Sequence, residues 1–215
     1  MPLEEWYFFD HIFSMCIINP HFQCMAYLMI YEIDFIPVRE ARELTPSRTT
    51  ALISIHDDGV EVAQGVPTVG WGFFDHIGVD DAAYDEEQIK DYGEEFKDFF
   101  GGTCTKVHAL KILVMIKRIR ETQGIEKIIF QCDSGRSRSA AVAKYYSEKY
   151  GTELERNPEY ANSLIYTLLN DPNHFDEVLD KYVNKKASQN TTDTEKRDWF
   201  PLGWIDILLE KIFGK

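Results

Sequence analysis

Cys132, Arg138 and Ser139 are the residues of this chain whose types and spacing invite chemistry. The thiol ends an apolar run, and five residues separate it from a guanidinium with a hydroxyl directly behind. A loop of that length can curl so that successive backbone N–H groups converge on one point, and a helix starting there adds its positive end. A phosphate dianion fits such a cradle. The same field favours thiolate over thiol, so the Cys132 pKa is expected below the free value of about 8.5. Arg138 can grip two phosphate oxygens with its planar fork. Gly135, in mid-loop, permits backbone angles closed to other residues. The Ser139 hydroxyl can reach back and stabilise the sulfur as a leaving group. The sulfur is expected at the mouth of a ring of amide hydrogens, with Arg138 closing the circle.

The flanking sequence supplies elements that could hold this geometry. Residues 128–130 are β-branched and aromatic and predict a buried strand. From Ser137 onward, small residues around an Ala-Ala-Val-Ala centre predict a helix. Cys132 therefore sits at the C-terminal end of a strand, before a tight loop and a helix N-terminus, where open α/β sheets bind ligands.

The run Cys132-Asp133-Ser134-Gly135-Arg136-Ser137-Arg138-Ser139 resembles the phosphate loop of the protein tyrosine phosphatase superfamily, in its compact dual-specificity-like branch. The resemblance implies an α/β fold of three layers, with a central, mostly parallel sheet of about four to five strands flanked by helices. It implies hydrolysis of a phosphomonoester, on a phosphorylated protein or a small molecule, with no metal or other cofactor. Cys132 would attack phosphorus to form a phosphocysteine, Arg138 would hold the transition state, and water would release phosphate. Asp133, Ser134, Gly135, Arg136, Ser137 and Ser139 would bind the phosphate. The family also uses an Asp, on a loop after a strand, to protonate the leaving oxygen. Asp75 is taken for that role, with Asp80 and Asp81 as alternatives. The stretch from Asp75 to Cys132 is longer than is usual in the family, which implies an insertion. Where the family usually has His before the nucleophile, this chain has Gln131, which can still donate hydrogen bonds.

Two other classes remain open. Rhodanese-like sulfurtransferases also present a loop cysteine near arginines, although the Ser after Arg138 favours a phosphatase. A noncatalytic phosphoprotein-binding module would need the cradle but not the acid.

The totals agree with an intracellular enzyme. The 215 residues carry 44% hydrophobic side chains, ample for a core, and a formal net charge of −13. So acidic a chain is a poor prior for nucleic-acid binding, and a phosphate site in it must create its own local positive field. The four cysteines, Cys16, Cys24, Cys104 and Cys132, form no C-x-x-C pair, and the start lacks a secretory pattern. A reducing, cytoplasmic compartment is expected. His11, Cys16, His21 and Cys24 match no standard zinc spacing.

Along the chain, residues 1–31 read as an aromatic-rich extension and 32–186 as the catalytic domain. Residues 187–197 read as a polar linker and 198–215 as an amphipathic helix, either docked on the domain or offered to a partner or membrane surface. Strands are expected at 33–38, 50–55 and 69–74. A surface helix is expected over 80–100, an amphipathic helix over 105–121, and further helices from 157 and over 175–183.

Overall fold

The computed structural model describes residues 30–62 and 65–184. The terminal helix and the polar linker, and all but the last two residues of the expected extension, lie outside the described residues.

Four strands form one sheet: β1 Glu32–Pro37, β2 Thr50–His56, β3 Phe73–Gly78 and β4 Lys127–Cys132. Their order is β1-β4-β2-β3, and every neighbouring pair is parallel. The sequences of β2 and β4, TALISIH and KIIFQC, are near-continuous apolar runs, as strands buried on both faces must be. Between and after the strands come α1 Val38–Ala41, α2 Glu86–Tyr92, α3 Phe96–Phe100, α4 Lys106–Glu121, α5 Arg138–Tyr150, α6 Ser163–Asn170 and α7 Asp176–Tyr182. The chain is thus α/β, with helices flanking a four-stranded parallel sheet.

Side-chain alternation sorts the strands into two faces. Ile33, Phe35, Ile53, Ile55, Ile128 and Phe130 face the larger core, where Ile112 and Ile116 of α4, Ala140 and Val142 of α5, and Leu164 and Leu168 of α6 close over them. The opposite face carries Ile36, Leu52 and Ile129, covered by Ala41 of α1 and by Val66 and Trp71 from the connection between β2 and β3. In the helix expected from residue 157, Leu164, Ile165, Leu168 and Leu169 are all buried. That helix begins only at Ser163, because Asn162 caps it by accepting from the Ile165 N–H at 3.0 Å.

Two expected elements shift. The strand expected at 69–74 lies at Phe73–Gly78, paired with β2 from Ala51↔Phe73 to His56↔Gly78. Residues 69–72 turn instead against the 47–50 segment. The Gly72 N–H donates to the carbonyls of Ser47 and Thr50, and a Cβ on Gly72 would meet the Arg48 carbonyl oxygen at 2.1 Å. The helix expected over 80–100 starts at Glu86, where Asp85 and Gln88 form a capping box, and it breaks at Gly93, whose φ is +50°. Among the described residues, no helix is long and apolar enough to cross a membrane.

At the start of α4, the Thr105 N–H donates to His108 Nδ1 at 3.2 Å, which requires a neutral ring. Burial lowers the His108 pKa and Lys111 lowers it further, against opposing pulls from Thr103 and Asp58. The unfolded chain, with an ordinary His near 6.5, binds a proton that the folded chain resists. Stability is therefore full above about pH 6.5 and declines as pH falls toward the lower folded value, with a slope of at most about 1.4 kcal/mol per pH unit. Urea unfolding at a series of pH values between 7 and 5 should show this decline, and His108→Gln, which keeps an acceptor, should flatten it.

Candidate active site

The site is assembled from the C-terminal ends of all four strands. Cys132 closes β4, and the loop behind it lies over the end of β1. A Cβ on Gly135, whose φ is +64°, would come 2.1 Å from Pro37 N. Only glycine allows that approach, so the sequence expectation for this residue has a concrete cause. The Val38 N–H donates to the Asp133 carbonyl at 3.2 Å on one flank, and the Asn162 N–H donates to the Ser137 carbonyl at 3.1 Å on the other. The loop is thus clamped at both ends.

Within it, the Cys132 sulfur lies 3.1 Å from Ser139 Oγ. Backbone N–H groups of Ser139, Gly135 and Arg136 also bond to the sulfur. Burial pushes the thiol pKa up and is the largest single influence; the hydroxyl and the three amides together outweigh it, and the net direction is down. Three loop amides and one hydroxyl thus act on the sulfur, whereas Arg138 Nη1 hydrogen-bonds to Asp57 and the Val79 carbonyl. The sulfur is not at the mouth of the expected ring, however. Cys132 has no exposed surface, because strand alternation turns its side chain to the core face with Phe130, beneath the first turn of α5. Cys104 gives the contrast: it is equally buried, but burial alone acts on it and pushes its pKa up to about 12.

Arg138 is 3% exposed, and its guanidinium is divided between two tasks. Nη1 donates to Asp57 Oδ1 at 2.6 Å and to the Val79 carbonyl at 2.7 Å. Nε is buried and has no hydrogen-bond partner, and Asp81 Oδ2 lies 4.0 Å from it. One edge of the fork is anchored and the Nε edge is not. Ser137, instead of capping α5 with its side chain, donates through Oγ to Asp81 Oδ1 at 2.6 Å, and Asn162 Nδ2 donates to the same oxygen at 3.2 Å.

Of the carboxylates read from the sequence, Asp81 is brought to the loop. Asp80 stands beside it, accepting from the Asp58 N–H at 2.9 Å. Asp75 is not brought there. It lies inside β3, in register with Ile53 and through it with Phe130, which is two strands across and two residues short of Cys132, a separation on the order of 10 Å. Its Oδ2 pairs with Arg118 Nη1 of α4 at 3.1 Å. The cause is the shift of β3, which turns an expected loop residue into a strand residue facing a helix. Gln131 faces away from Cys132, onto the other side of the sheet, and accepts from Ser54 Oγ at 2.6 Å.

Sequence reasoning passed over Asp57, Val79 and Asn162. Asp57 had a legible signal, since it is the first residue past a strand adjoining the cysteine strand. Val79 acts through its carbonyl, which no side chain advertises. Arg136 and Tyr160 form a rim, the guanidinium lying 4.3 Å from the ring centroid.

No protein-family model matches the chain, and no curated protein matches it.

Ser139→Ala removes one donor from a buried sulfur and should raise the Cys132 pKa, reducing the thiolate absorbance at neutral pH. Ultraviolet titration of the wild type, of Ser139→Ala, and of Cys132→Ser as the blank would measure this, with Cys104 silent until strongly alkaline pH.

Proposed function

We propose that this chain is a cysteine-dependent phosphatase of the protein tyrosine phosphatase superfamily, of the compact dual-specificity-like kind, hydrolysing phosphomonoesters through a phosphocysteine. The observation that carries this proposal is the set of donors converging on Cys132, three amides and the Ser139 hydroxyl, next to an arginine whose Nε is buried and unpartnered. A phosphate with its phosphorus near the sulfur would place oxygens against the loop amides and against Arg138 Nε.

The chemistry follows from those positions. The Cys132 thiolate attacks phosphorus, the bond to the ester oxygen breaks, and the departing oxygen takes a proton. We assign that proton to Asp81, because Oδ1 is occupied by Ser137 and Asn162 while Oδ2 lies on the Nε side of Arg138. Asp57 is already committed to Nη1. Water then attacks the phosphocysteine, Asp81 takes the proton back, and the Ser139 hydroxyl stabilises the returning thiolate. A thiolate nucleophile requires reducing surroundings, so we place the protein in the cytoplasm.

A second reading, a phosphate-binding module without turnover, has its own observation: the sulfur has no exposed surface, so phosphorus must approach through movement of the loop or of the Asp57–Arg138 pair.

Hydrolysis of an aryl phosphate separates the two. Turnover by the wild type should vanish in Cys132→Ser, which should still bind phosphate analogues. Asp81→Asn should lower kcat by about 100-fold for a poor leaving group, and much less for a good one. Tight analogue binding by the wild type with no turnover between pH 5 and 7 would select the binding module instead. Hydrolysis that persists in Cys132→Ser would reject both assignments of the thiol.

A further inference from the structure

The groups around the loop are rich in carboxylates. Asp57 and Asp81 touch Arg138 or Ser137, Asp58 and Asp80 are joined by the 2.9 Å bond between them, and Asp133 is the exposed first residue of the loop. The cations facing them are few. Arg138 is consumed within the site, Arg136 lies on the Tyr160 ring, Arg39 of α1 adjoins Val38, whose N–H bonds the loop, and on the Asp58 side stand His108, whose pKa burial lowers, and Lys111. A second observation extends the acidic surround. A cavity of about 400 Å³ has Tyr84, Asp85, Glu86, Glu87, Leu164, His174 and Phe175 in its lining. It begins one residue from Asn162 and two from Ala82, the pair joined by the 3.2 Å bond from Asn162 Nδ2 to the Ala82 carbonyl.

We infer that the site takes phosphorylated protein segments in which lysine or arginine lies near the phosphorylated residue, and that it disfavours polyanions such as inositol polyphosphates and nucleic-acid ends. The inference rests on the phosphatase proposal above. The loop amides and Arg138 Nε serve one phosphate. A further phosphate on the substrate would meet Asp57, Asp58, Asp80, Asp81 or Asp133, whereas a substrate ammonium or guanidinium would meet them favourably. The cavity suits such a side chain, with an apolar wall of Tyr84, Leu164 and Phe175 for its methylenes and the Glu87 carboxylate for its head, Glu86 being paired with Lys90 at 3.0 Å and Asp85 capping α2. A chain of net charge −13 adds a long-range field of the same sign.

The experiment measures kcat/KM for an uncharged-flank aryl phosphate, for phosphotyrosine peptides flanked by Lys and Arg or by Asp and Glu, for a 5′-phosphorylated oligonucleotide and for an inositol polyphosphate. Basic flanks should exceed acidic flanks by about tenfold or more at low ionic strength, and the ratio should shrink toward one in about 1 M salt. Asp58→Asn combined with Glu87→Gln should narrow the same ratio, read within each variant so that overall turnover does not enter. Turnover of the aryl phosphate with equal rates on both peptides, or with either polyanion preferred, overturns the substrate inference and leaves the phosphatase standing. Absence of aryl phosphate turnover overturns the phosphatase, and the substrate inference falls with it.

Discussion

A buried thiol loses its water, and that loss alone drives it to the neutral form. Cys104 shows the uncorrected outcome in the same core. At Cys132 the direction is reversed because the chain spends three backbone amides and one hydroxyl on a single sulfur. Backbone donors are rigid and already oriented when the loop is folded, so they stabilise charge without reorganising. Their arrangement needs Gly135 at positive φ against Pro37, the two clamps from Val38 and Asn162, and the first turn of α5 left free of a side-chain cap. The rest of the site depends on that correction.

The parallel sheet explains why these groups can meet at all. When every strand runs the same way, all C-terminal ends lie along one edge, and each strand delivers a residue there. β1 offers Pro37 as the surface on which the loop rests. β2 ends one residue before Asp57, β3 one residue before Val79, and β4 in Cys132 itself. Asp57 and the Val79 carbonyl then hold the same nitrogen of Arg138 from two neighbouring strands. A fixed Nη1 orients the whole planar guanidinium, which sets the direction of the unpartnered Nε without contact to it.

The parts of this arrangement that were legible in the sequence are local. The apolar run, the turn residues and the small-residue helix sit next to one another, so strand, loop and helix could be read from 127 to 146, and with them the Ser139 hydroxyl as a partner of the sulfur. The edges of β1 and β2 were legible for the same reason. The failures are long-range. Phe73–Gly78 became a strand because β2 offers it a full ladder and because Gly72 is wedged against Arg48; neither fact is visible within the VGWGFFDHIG segment. Asp75 was misplaced as a consequence, since a shift of a few residues moved a carboxylate from a loop to the underside of α4. The depth of the sulfur was not legible either. It follows from the parity of β4, where Phe130 and Cys132 share the core face, combined with a helix that packs directly over them.

The chain's acidity and the phosphate cradle proposed for it are compatible because amides and carboxylates act over different ranges. An N–H dipole is strong at contact distance and negligible a few ångströms further out, whereas a carboxylate's field extends to about the Debye length, near 8 Å at physiological salt. A site built from amides, one buried arginine and a carboxylate rim therefore does not attract anions from solution. On the proposed reading, such a site would hold one phosphate already brought to it, and the bringing would fall to cations that travel with that phosphate. Asp57 takes part in both effects. It orients Arg138 through Nη1 at close range, and with 59% of its side chain exposed it contributes its charge to the rim.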